Sequence, residues 1–246
     1  MSINSSQTLA GYPDAKSTGI RDGVNLKQVS GGMVISQSNV VIEGLEIHGE
    51  LRITGDNVTV RNCKIVGDDN YAVIGYGAEN LTVEYCDISG GTNGISGSGT
   101  FRYNDISGVD NGINVWGPSH IEGNYIHDMG FWPDGHFDGI QIDGNVSDVM
   151  IKGNTVIVDA TQTSAIMIDN YFGAVSNVTV DGNYVAGGGY TIYSDGRFSK
   201  TNLIMGVKIT NNYVAKGHWG HYSFSANTPY LEGTIETPAG SSPPER

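Results

Sequence analysis

The stretch that decides the fold is Ile121-Glu-Gly-Asn124, which recurs downstream as Ile151-Lys-Gly-Asn154, Val180-Asp-Gly-Asn183 and Ile209-Thr-Asn-Asn212. The repeats are 29 or 30 residues apart. An apolar strand followed by a turn, repeated at such intervals, is typical of a solenoid in which each unit stacks on the next. One column of the predicted stack contains, in order, Cys63, Cys86, Asn104, Asn124, Asn154, Asn183 and Asn212.

The asparagine column has a structural interpretation. In parallel, in-register stacking, each side-chain amide can bond the amide above it and the amide below it. Cys63 and Cys86 would occupy the same column one coil apart. We interpret them as buried free thiols, with a disulfide as the alternative because the two residues are close.

A second strand follows each of these turns, as in Asn111-Gly-Ile113, Asp138-Gly-Ile140 and Ser164-Ala-Ile166. If its isoleucine faces the core, strand alternation turns outward the residues one after and three after it, and we expect the residue two before it, where the strand begins, to face outward as well. The outward columns of the later coils then contain Trp116, Asp138, Gln141, Asp143, Met167, Asp169, Tyr190, Tyr193 and Asp195.

These repeats predict an all-β protein, a single right-handed parallel β-helix of about eight coils. The 36 glycines and the short runs of Val, Ile and Leu fit many short strands better than helices. Residues 1–38 are predicted to be an N-terminal cap, residues 39–228 the β-helix and residues 229–246 a loose tail. No C-terminal cap is visible in the sequence, and an oligomer partner would supply one.

The charge balance narrows the choice of partner. Lys and Arg total 13 against 26 Asp and Glu, and a net charge of −13 argues against binding to a nucleic-acid backbone. No apolar run approaches the roughly 18 residues of a membrane span, and Met1-Ser-Ile-Asn4 does not begin a secretory signal. We therefore expect no nucleic acid, no membrane insertion, and a virion-associated location, or an extracellular one if a signal has been removed.

The later coils are longer than the earlier ones, beginning with the insertion Met129-Gly-Phe-Trp-Pro-Asp-Gly135. Insertions in solenoids form loops on one face, which is often the binding face. Here they would border a trough on coils five to seven that combines Trp and Tyr with Asp and Gln. Aromatic rings can stack on the apolar faces of sugars, and carboxylates and amides can bond sugar hydroxyls, so the pattern predicts a glycan site.

The predicted catalytic residues are Asp143, Asp169, Asp195 and His136, and the predicted substrate-binding residues are Trp116, Trp132, Asp138, Gln141, Tyr190, Tyr193 and Arg197. A coil spacing of roughly 4.8 Å predicts about 5 Å between Asp143 and Asp169 and about 9.6 Å between Asp143 and Asp195. These values lie near the separations of about 5–5.5 Å in retaining and about 6.5–9.5 Å in inverting glycosidases. Stacked carboxylates repel, which would raise the pKa of at least one of them or recruit a cation, for which Ca²⁺ is the candidate.

Two other interpretations stay open. A lyase would need a base such as His136 or Tyr193, and a positive group such as Arg197 to neutralise a uronate carboxylate. Alternatively, Asp143, Asp169 and Asp195 are turn formers, since each ends a strand before Gly or Asn.

The units Asn57-Val-Thr-Val-Arg-Asn-Cys63 and Gly-Asn-x-Ile/Val, with Tyr125-Ile-His-Asp128 and His136-Phe-Asp-Gly-Ile-Gln141, resemble the right-handed parallel β-helix proteins of bacteria and phages. The resemblance covers about residues 30–225. That superfamily includes pectate and alginate lyases, polygalacturonases, C5-epimerases, phage tailspike depolymerases and non-catalytic virion fibres or decoration proteins. The Asn-Thr-Asp of polygalacturonases, the Trp-Ile-Asp-His of pectate lyases and the Asp-Pro-His-Glu of epimerases are absent, so no catalytic residue is carried over. The resemblance implies a polysaccharide or cell-surface glycan as partner, and homotrimer or virion assembly.

Three hypotheses follow. The first, which the trough favours, is a polysaccharide-degrading lyase or glycoside hydrolase of the tailspike kind. The second is a non-catalytic phage virion protein, in the tail or as capsid decoration, or a surface protein that binds glycans. The third, a plain structural solenoid, explains the ladders but not the loop after Met129.

Overall fold

The computed structural model describes residues 11–130, 132 and 135–243, and these residues form short strands joined by turns. In chain order the strands are β1 Lys27–Ser30, β2 Met33–Ile35, β3 Val41–Glu43, β4 Leu45–His48, β5 Leu51–Ile53, β6 Thr59–Arg61, β7 Lys64–Val66, β8 Tyr71–Gly75, β9 Leu81–Glu84, β10 Asp87–Ser89, β11 Asn93–Arg102, β12 Asp105–Ser107, β13 Asn111–Glu122 and β14 Tyr125–His127. They continue with β15 Asp138–Ile142, β16 Val146–Lys152, β17 Thr155–Val158, β18 Ile166–Asp169, β19 Val175–Asp181, β20 Tyr184–Gly187, β21 Tyr190–Asp195, β22 Ile204–Met205, β23 Lys208–Thr210, β24 Tyr213–Ala215, β25 Gly220–Ser225, β26 Tyr230–Glu232 and β27 Ile235–Thr237.

The strands stack in parallel on three faces, as a parallel β-helix requires. Sheet 1 has the order β1-β4-β7-β10-β12-β14-β17-β20-β24-β27. Sheet 2 contains β2, β5, β8, the first halves of β11 and β13, β15, β18, β21 and β25. Sheet 3 contains β3, β6, β9, the second halves of β11 and β13, β16, β19, β22, β23 and β26.

The core is built from columns of aliphatic side chains that stack in register. In sheet 1, Ile88 pairs with Ile106 and Ile106 with Ile126, while in sheet 2 Ile113 pairs with Ile140. All of these side chains are almost fully buried, and each contributes roughly 2 kcal/mol by leaving water. The predicted isoleucine column of the second strand therefore faces the core.

The asparagine ladder is present as predicted. The Nδ2 of Asn104 donates to the Oδ1 of Asn124 over 2.9 Å, and the same bond joins Asn124 to Asn154, Asn154 to Asn183 and Asn183 to Asn212. Each Oδ1 also accepts the backbone N–H of the preceding member, as Asn154 Oδ1 does from Asn124. The five side chains are buried, and the ladder satisfies polar groups that would otherwise lack partners.

The residue before each ladder position turns the chain with a positive φ. Gly123, Gly153 and Gly182 have φ of 67°, 61° and 66°, a conformation that glycine adopts without steric cost. Tyr85 and Tyr103 take the same conformation at 52° and 56°, and their rings stack with centroids 5.0 Å apart. The recurrent Gly-Asn dipeptide of the sequence is therefore the turn from sheet 3 into sheet 1.

Cys63 and Cys86 are both buried free thiols. They continue the ladder column toward the N-terminus, and the Cys86 N–H donates to the Oδ1 of Asn104 at 3.1 Å. The predicted free state of the two cysteines is thus the one present, and the alternative disulfide is not formed.

The stacking extends beyond residues 39–228. Strands β1 and β2 precede that range, and β26 and β27 follow it, pairing with β23 and β24. Within the described part of the chain, sheet 1 has ten strands, so the predicted count of about eight coils is not confirmed. The predicted count was taken from the column of Cys63 to Asn212, and this column does not extend to the first and last coils.

Both ends of the described chain lie along the side of sheet 1. The N-terminal segment, residues 11–26, runs past several rungs: Gly19 N–H donates to the Tyr103 carbonyl at 2.9 Å, Ile20 N–H to Asp87 at 3.1 Å, and the Arg21 guanidinium lies 3.6 Å from the Tyr85 ring centroid. These residues, predicted as an end cap, instead form a lateral strap. At its start, the Tyr12 ring lies 5.9 Å from that of Tyr184.

The C-terminal segment returns to the same place, since the Tyr184 hydroxyl donates to the Ser241 carbonyl at 2.7 Å. The described part of the predicted loose tail is therefore two further strands and a docked segment. None of the described residues forms a helix long and apolar enough to cross a lipid bilayer.

Candidate functional site

Three carboxylates stack where sheet 2 turns into sheet 3. Asp169 and Asp195 are register partners at the ends of β18 and β21. Asp143 directly follows β15, and the pairing of Ile142 with Ile168 places it beside Asp169. The structure thus brings together the predicted Asp143, Asp169 and Asp195 at intervals of one rung, about 4.8 Å.

The carboxyl groups of Asp143 and Asp169 are hydrogen-bonded to each other. Burial, the charge of Asp169 and this bond raise the pKa of Asp143 to about 7, against a smaller opposing effect of the Gln141 amide. The pKa of Asp169 is also raised, chiefly by burial, and its carboxylate accepts the Tyr171 N–H at 2.8 Å. Two carboxyl groups this close hold one proton between them near neutral pH.

Asp195 is in a different electrostatic state. Burial acts to raise its pKa, but hydrogen bonds and the charge of Arg197 outweigh burial and lower it. The Arg197 Nε lies 2.8 Å from one carboxylate oxygen and 3.1 Å from the other, and the Arg197 backbone N–H donates to the same carboxylate. The column therefore contains a protonated pair next to an ionised, ion-paired carboxylate.

A chain of hydrogen-bonded polar side chains lies beside the carboxylate pair and joins two consecutive rungs. The Trp116 indole N–H donates to Asn114 Oδ1 at 2.9 Å, and Asn114 Nδ2 donates to Gln141 Oε1 at 3.1 Å. Gln141 lies two residues before Asp143 on the same face of the strand, and its amide acts to lower the pKa of that carboxyl. The predicted Trp116 and Gln141 are thus connected to each other through Asn114, which was not among the predicted site residues.

An exposed aromatic cluster borders the carboxylates on their other side. Tyr171, Phe172 and Phe198 expose 63%, 70% and 56% of their surface, and the Tyr171 ring lies 4.8 Å from Phe172 and 5.4 Å from Phe198, edge-on in both pairs. The Phe172 N–H donates to the Asp143 carbonyl at 2.7 Å. Sequence reasoning missed this cluster, although its position two or three residues after Asp169 and Asp195 was a usable signal.

The prediction that Asp138 faces outward is wrong. Asp138 is only 2% exposed, because it lies two residues before the buried Ile140 and therefore on the core-facing side of β15. Its Oδ1 accepts both the N–H and the hydroxyl of Ser164, at 3.0 and 2.7 Å. Burial raises its pKa to about 7. Its register partner Asn111 has a buried Oδ1 without a hydrogen-bond partner. Asp138 is therefore a structural member of a second polar column and not an open floor residue.

Two further residues of the predicted trough floor are more buried than expected. Asp169 and Asp195 are only 7% and 4% exposed. The turns that follow them, with Tyr171 and Arg197, fold back over the carboxylates through backbone N–H donation. Asp143 is half-buried and is the most accessible of the three.

A second aromatic group lies at the opposite edge of sheet 2. The half-buried Tyr190 and Tyr193 make an edge-on contact with centroids 5.6 Å apart, and Tyr190 also lies 5.8 Å from the exposed Trp219. The predicted Tyr190 is therefore grouped with Trp219 at the start of β21, whereas Tyr193 lies between this group and the carboxylates, in the column of Gln141 and two residues before Asp195.

The loop before β15 also lies at the edge of sheet 2 that is opposite the carboxylates. The Trp132 N–H donates to Asp110 at 3.0 Å and its indole to Thr92 at 3.2 Å, so the ring is directed toward earlier rungs. His136 is exposed and precedes β15, whereas Asp143 follows it. Five strand steps from Asp138 to Asp143 span roughly 16 Å, so the structure does not bring His136 or Trp132 to the carboxylates. Phe131, Pro133 and Asp134 of the predicted loop lie outside the described residues.

Metal ligation has no support in the described ranges, where no group of three or more His, Cys, Asp or Glu side chains is arranged to hold an ion. The suggestion of Ca²⁺ depended on open carboxylates. A shared proton and the Arg197 guanidinium now account for the close packing of the three aspartates.

The comparisons agree with this architecture. Residues 19–156, more than half of the chain, match the family described as the right handed beta helix region. The chain belongs to the right-handed β-helix family, and the predicted fold and family are confirmed. A similar solved structure is the crystal structure of the Dettilon tailspike protein, which has 17% sequence identity and a TM-score of 0.42, with coverage of 78% of this chain and 42% of that one. This chain thus spans less than half the length of that protein. No curated protein matches it in sequence.

Proposed function

We propose that the column of Asp143, Asp169 and Asp195 binds and hydrolyses a polysaccharide. The observation that carries this proposal is the proton-sharing Asp143–Asp169 pair, which lies directly beside an exposed aromatic cluster. A carboxyl group that keeps its proton near neutral pH is what protonation of a glycosidic oxygen requires.

The roles of acid and base follow from opposite pKa shifts. Asp143, with a pKa of about 7 and the greatest accessibility of the three, acts as general acid. Asp195, whose pKa is lowered, is ionised and acts as the base that activates water. They are two rungs apart, about 9.6 Å, which matches the roughly 6.5–9.5 Å of inverting enzymes better than the shorter retaining distance.

The charge arrangement favours hydrolysis over elimination. A lyase must neutralise the uronate carboxylate of its substrate, and Arg197, the cation that the sequence suggested for this role, is bound by both oxygens of Asp195. The three aspartates would also repel an acidic sugar. The preferred substrate is therefore a glycan with uncharged sugars at the cleavage point.

Aromatic surfaces are available on both sides of the acid along the helix axis. Trp116 lies one rung before Asp143, by continuation of the pairing between Asn114 and Gln141, and is 39% exposed. Tyr171, Phe172 and Phe198 lie on the following side. Sugar rings that stack on these two platforms would place a glycosidic bond above Asp143.

The test is incubation of the protein with a panel of neutral bacterial, algal and plant polysaccharides, with reducing ends and the absorbance of unsaturated uronates both measured. We expect reducing ends without unsaturated products, and proton NMR of the first product should show the inverted anomer. Asp143→Asn should remove the activity. Unsaturated products, or full activity in Asp143→Asn, would contradict the proposal.

A second candidate, glycan binding without cleavage, is favoured by the burial of Asp169 and Asp195 at 7% and 4% exposure. It predicts no product from any polysaccharide, together with retention on an immobilised glycan that is lost in Tyr171→Ala. The same panel therefore separates the two candidates.

Virion or extracellular location and assembly as a homotrimer are proposals that the resemblance to bacterial and phage β-helix proteins supports. Light scattering of the purified chain distinguishes a monomer of 26.1 kDa from a trimer.

A further inference from the structure

The core column of sheet 1 ends in a charged residue. Before that end it contains only Ile and Val, and Val214, the last of these, is fully buried. The next register position, on β27, is Glu236. In order along the helix axis the column is Val29, Ile47, Ile65, Ile88, Ile106, Ile126, Val156, Val185, Val214 and Glu236. A carboxylate therefore stands at the C-terminal end of a column that is otherwise aliphatic.

The last coil, formed by β25, β26 and β27, is otherwise an apolar, open edge. In sheets 2 and 3 the core columns end at Tyr222 and Leu231, and Leu231 is 42% exposed although its register partner Ile209 is fully buried. Among the strands of residues 11–243, each of these three pairs only with the strand of the preceding coil. Unpaired backbone groups beside exposed apolar side chains are a template for the addition of further strands.

The first coil, formed by β1, β2 and β3, has the matching edge. In the described chain these strands pair only with β4, β5 and β6, and their core-facing Val29, Met33 and Ile42 are only partly buried. If the first coil of a second copy stacked in register on the last coil, it would continue all three sheets. Met33 of that copy would lie over Tyr222, and its Ile42 over Leu231.

We propose that the first and last coils are complementary docking surfaces for copies of this chain, and that Glu236 prevents them from docking head to tail. In a docked pair, Glu236 would be enclosed between Val214 and Val29 of the second copy. An ionised carboxylate without a partner in an apolar core is strongly unfavourable. Charges that point inward at an exposed edge are one means by which β-proteins avoid edge-to-edge association. The inference is independent of the proposed hydrolysis.

The contacts of Glu236 suit a charge that must stay in water. Its side chain is 53% exposed, and the nearest cationic candidate is His221, whose Nδ1 lies 3.7 Å from Glu236 Oε2. His221 Nε2 donates to the Thr237 carbonyl at 2.8 Å. A neutral imidazole has one N–H, so His221 in this state has no proton on Nδ1 for Glu236. In the separate chain water solvates the carboxylate, whereas docking would remove that water without supplying a donor.

The experiment replaces Glu236 by an aliphatic residue and measures association of the full chain. We expect the native chain to keep one mass at all concentrations in light scattering. For Glu236→Val the mass should rise with concentration to at least about twice that value, with rods lengthened along the axis in electron microscopy, because a head-to-tail contact does not close. Glu232→Val is the matched control. It removes the same charge from the same coil, but Glu232 follows the core-facing Leu231 and points outward, so the mass should not change.

A second substitution tests which surface Glu236 opposes. Val29→Glu, added to Glu236→Val, restores a charge at the facing position and should return the protein to the native mass. Rods that persist in this double variant would show that the first coil is not the docking surface. A Glu236→Val protein with the native mass at every concentration, or equal association of Glu232→Val, overturns the proposal. If circular dichroism shows that Glu236→Val does not fold, Glu236→Met keeps the side-chain length without the charge and must associate in its place.

Discussion

Asp143 and Asp169 share a hydrogen bond between their carboxyl groups on consecutive rungs of the β-helix. Parallel in-register stacking repeats side chains at about 4.8 Å, so identical acids in one column cannot avoid each other. Here the repulsion is relieved in two ways, by a shared proton in one pair and by Arg197 at the next rung.

Activity should depend on pH through Asp143. A general acid works only while it is protonated, and the pKa of this group is about 7. We expect kcat/KM to fall about tenfold per pH unit above pH 7, where Asp143 loses its proton. Below pH 7 it should stay high until the pH is low enough to protonate Asp195. Asp143→Asn should reduce kcat by at least about 100-fold and abolish the alkaline limb. A profile with no change between pH 6 and 9 would exclude Asp143 as the acid.

Asp138 should make the fold less stable as the pH rises. Its pKa is about 7 in the folded chain and close to 4 in an unfolded one, so the native state binds more protons between these values. The free energy of unfolding should therefore decrease from about pH 4 to pH 7, by at most about 4 kcal/mol, and then level off.

Asp138→Asn provides the matched test. The amide introduced by this substitution can still accept from Ser164, and its NH₂ can donate to the unpaired Oδ1 of Asn111. Urea unfolding at pH 5 and pH 8 should show a smaller pH dependence in the variant, and higher stability than the native chain at pH 8. A variant that is less stable than the native chain at pH 8 would mean that the fold stabilises the ionised carboxylate and that the pKa of Asp138 is not raised.

Removal of one ladder asparagine should be strongly destabilising. Asn154→Ala leaves the Asn124 N–H and Nδ2 without their acceptor and the Ile121 carbonyl without its donor. Buried groups left in this state cost about 1–3 kcal/mol each, so a loss of several kcal/mol is expected in urea unfolding. Gln162→Ala removes an exposed amide and should change stability by less than about 0.5 kcal/mol. Similar losses in the two variants would contradict the role of the ladder.

The aromatic cluster should determine glycan affinity. Tyr171→Ala removes the ring that contacts both Phe172 and Phe198, and we expect Kd for a bound oligosaccharide to rise about tenfold, which corresponds to roughly 1.4 kcal/mol. Tyr230→Ala deletes a ring of similar exposure on sheet 3 and should leave Kd unchanged in calorimetry. Equal effects of the two substitutions would show that sugars do not bind at the cluster.

The repeat predicted those features that recur on every rung. Asn104 to Asn212 and the isoleucine columns follow from periodicity, because a shift of one residue would turn a whole strand inside out. The alignment of Asp143, Asp169 and Asp195 followed from the same register. Features that do not recur could not be predicted from the repeat. The path of residues 11–26 along sheet 1 is one of them.

Burial was the weak point of the site prediction. Asp138 lies two residues before the buried Ile140, so alternation places it on the same, core-facing side, where it bonds Ser164. Alternation also does not tell whether a turn covers an outward side chain, as the turns after Asp169 and Asp195 do. Strand length also separates residues that are close in sequence, which is why His136 lies at one edge of sheet 2 and Asp143 at the other. The exposed rings of Tyr171 and Phe198 lie in turns of unequal length, where the repeat carries no information.

The lateral strap, residues 11–26, changes how the β-helix can unfold. In a simple solenoid each repeat contacts only its neighbours, so end rungs can fray while the middle stays folded. Here Tyr12 packs on Tyr184 while Gly19, Ile20 and Arg21 bond to Tyr103, Asp87 and Asn62. Rungs far apart along the axis are thereby tied by one continuous segment, and opening of an early rung releases contacts on a late one. Cooperative unfolding of the whole rod is the consequence.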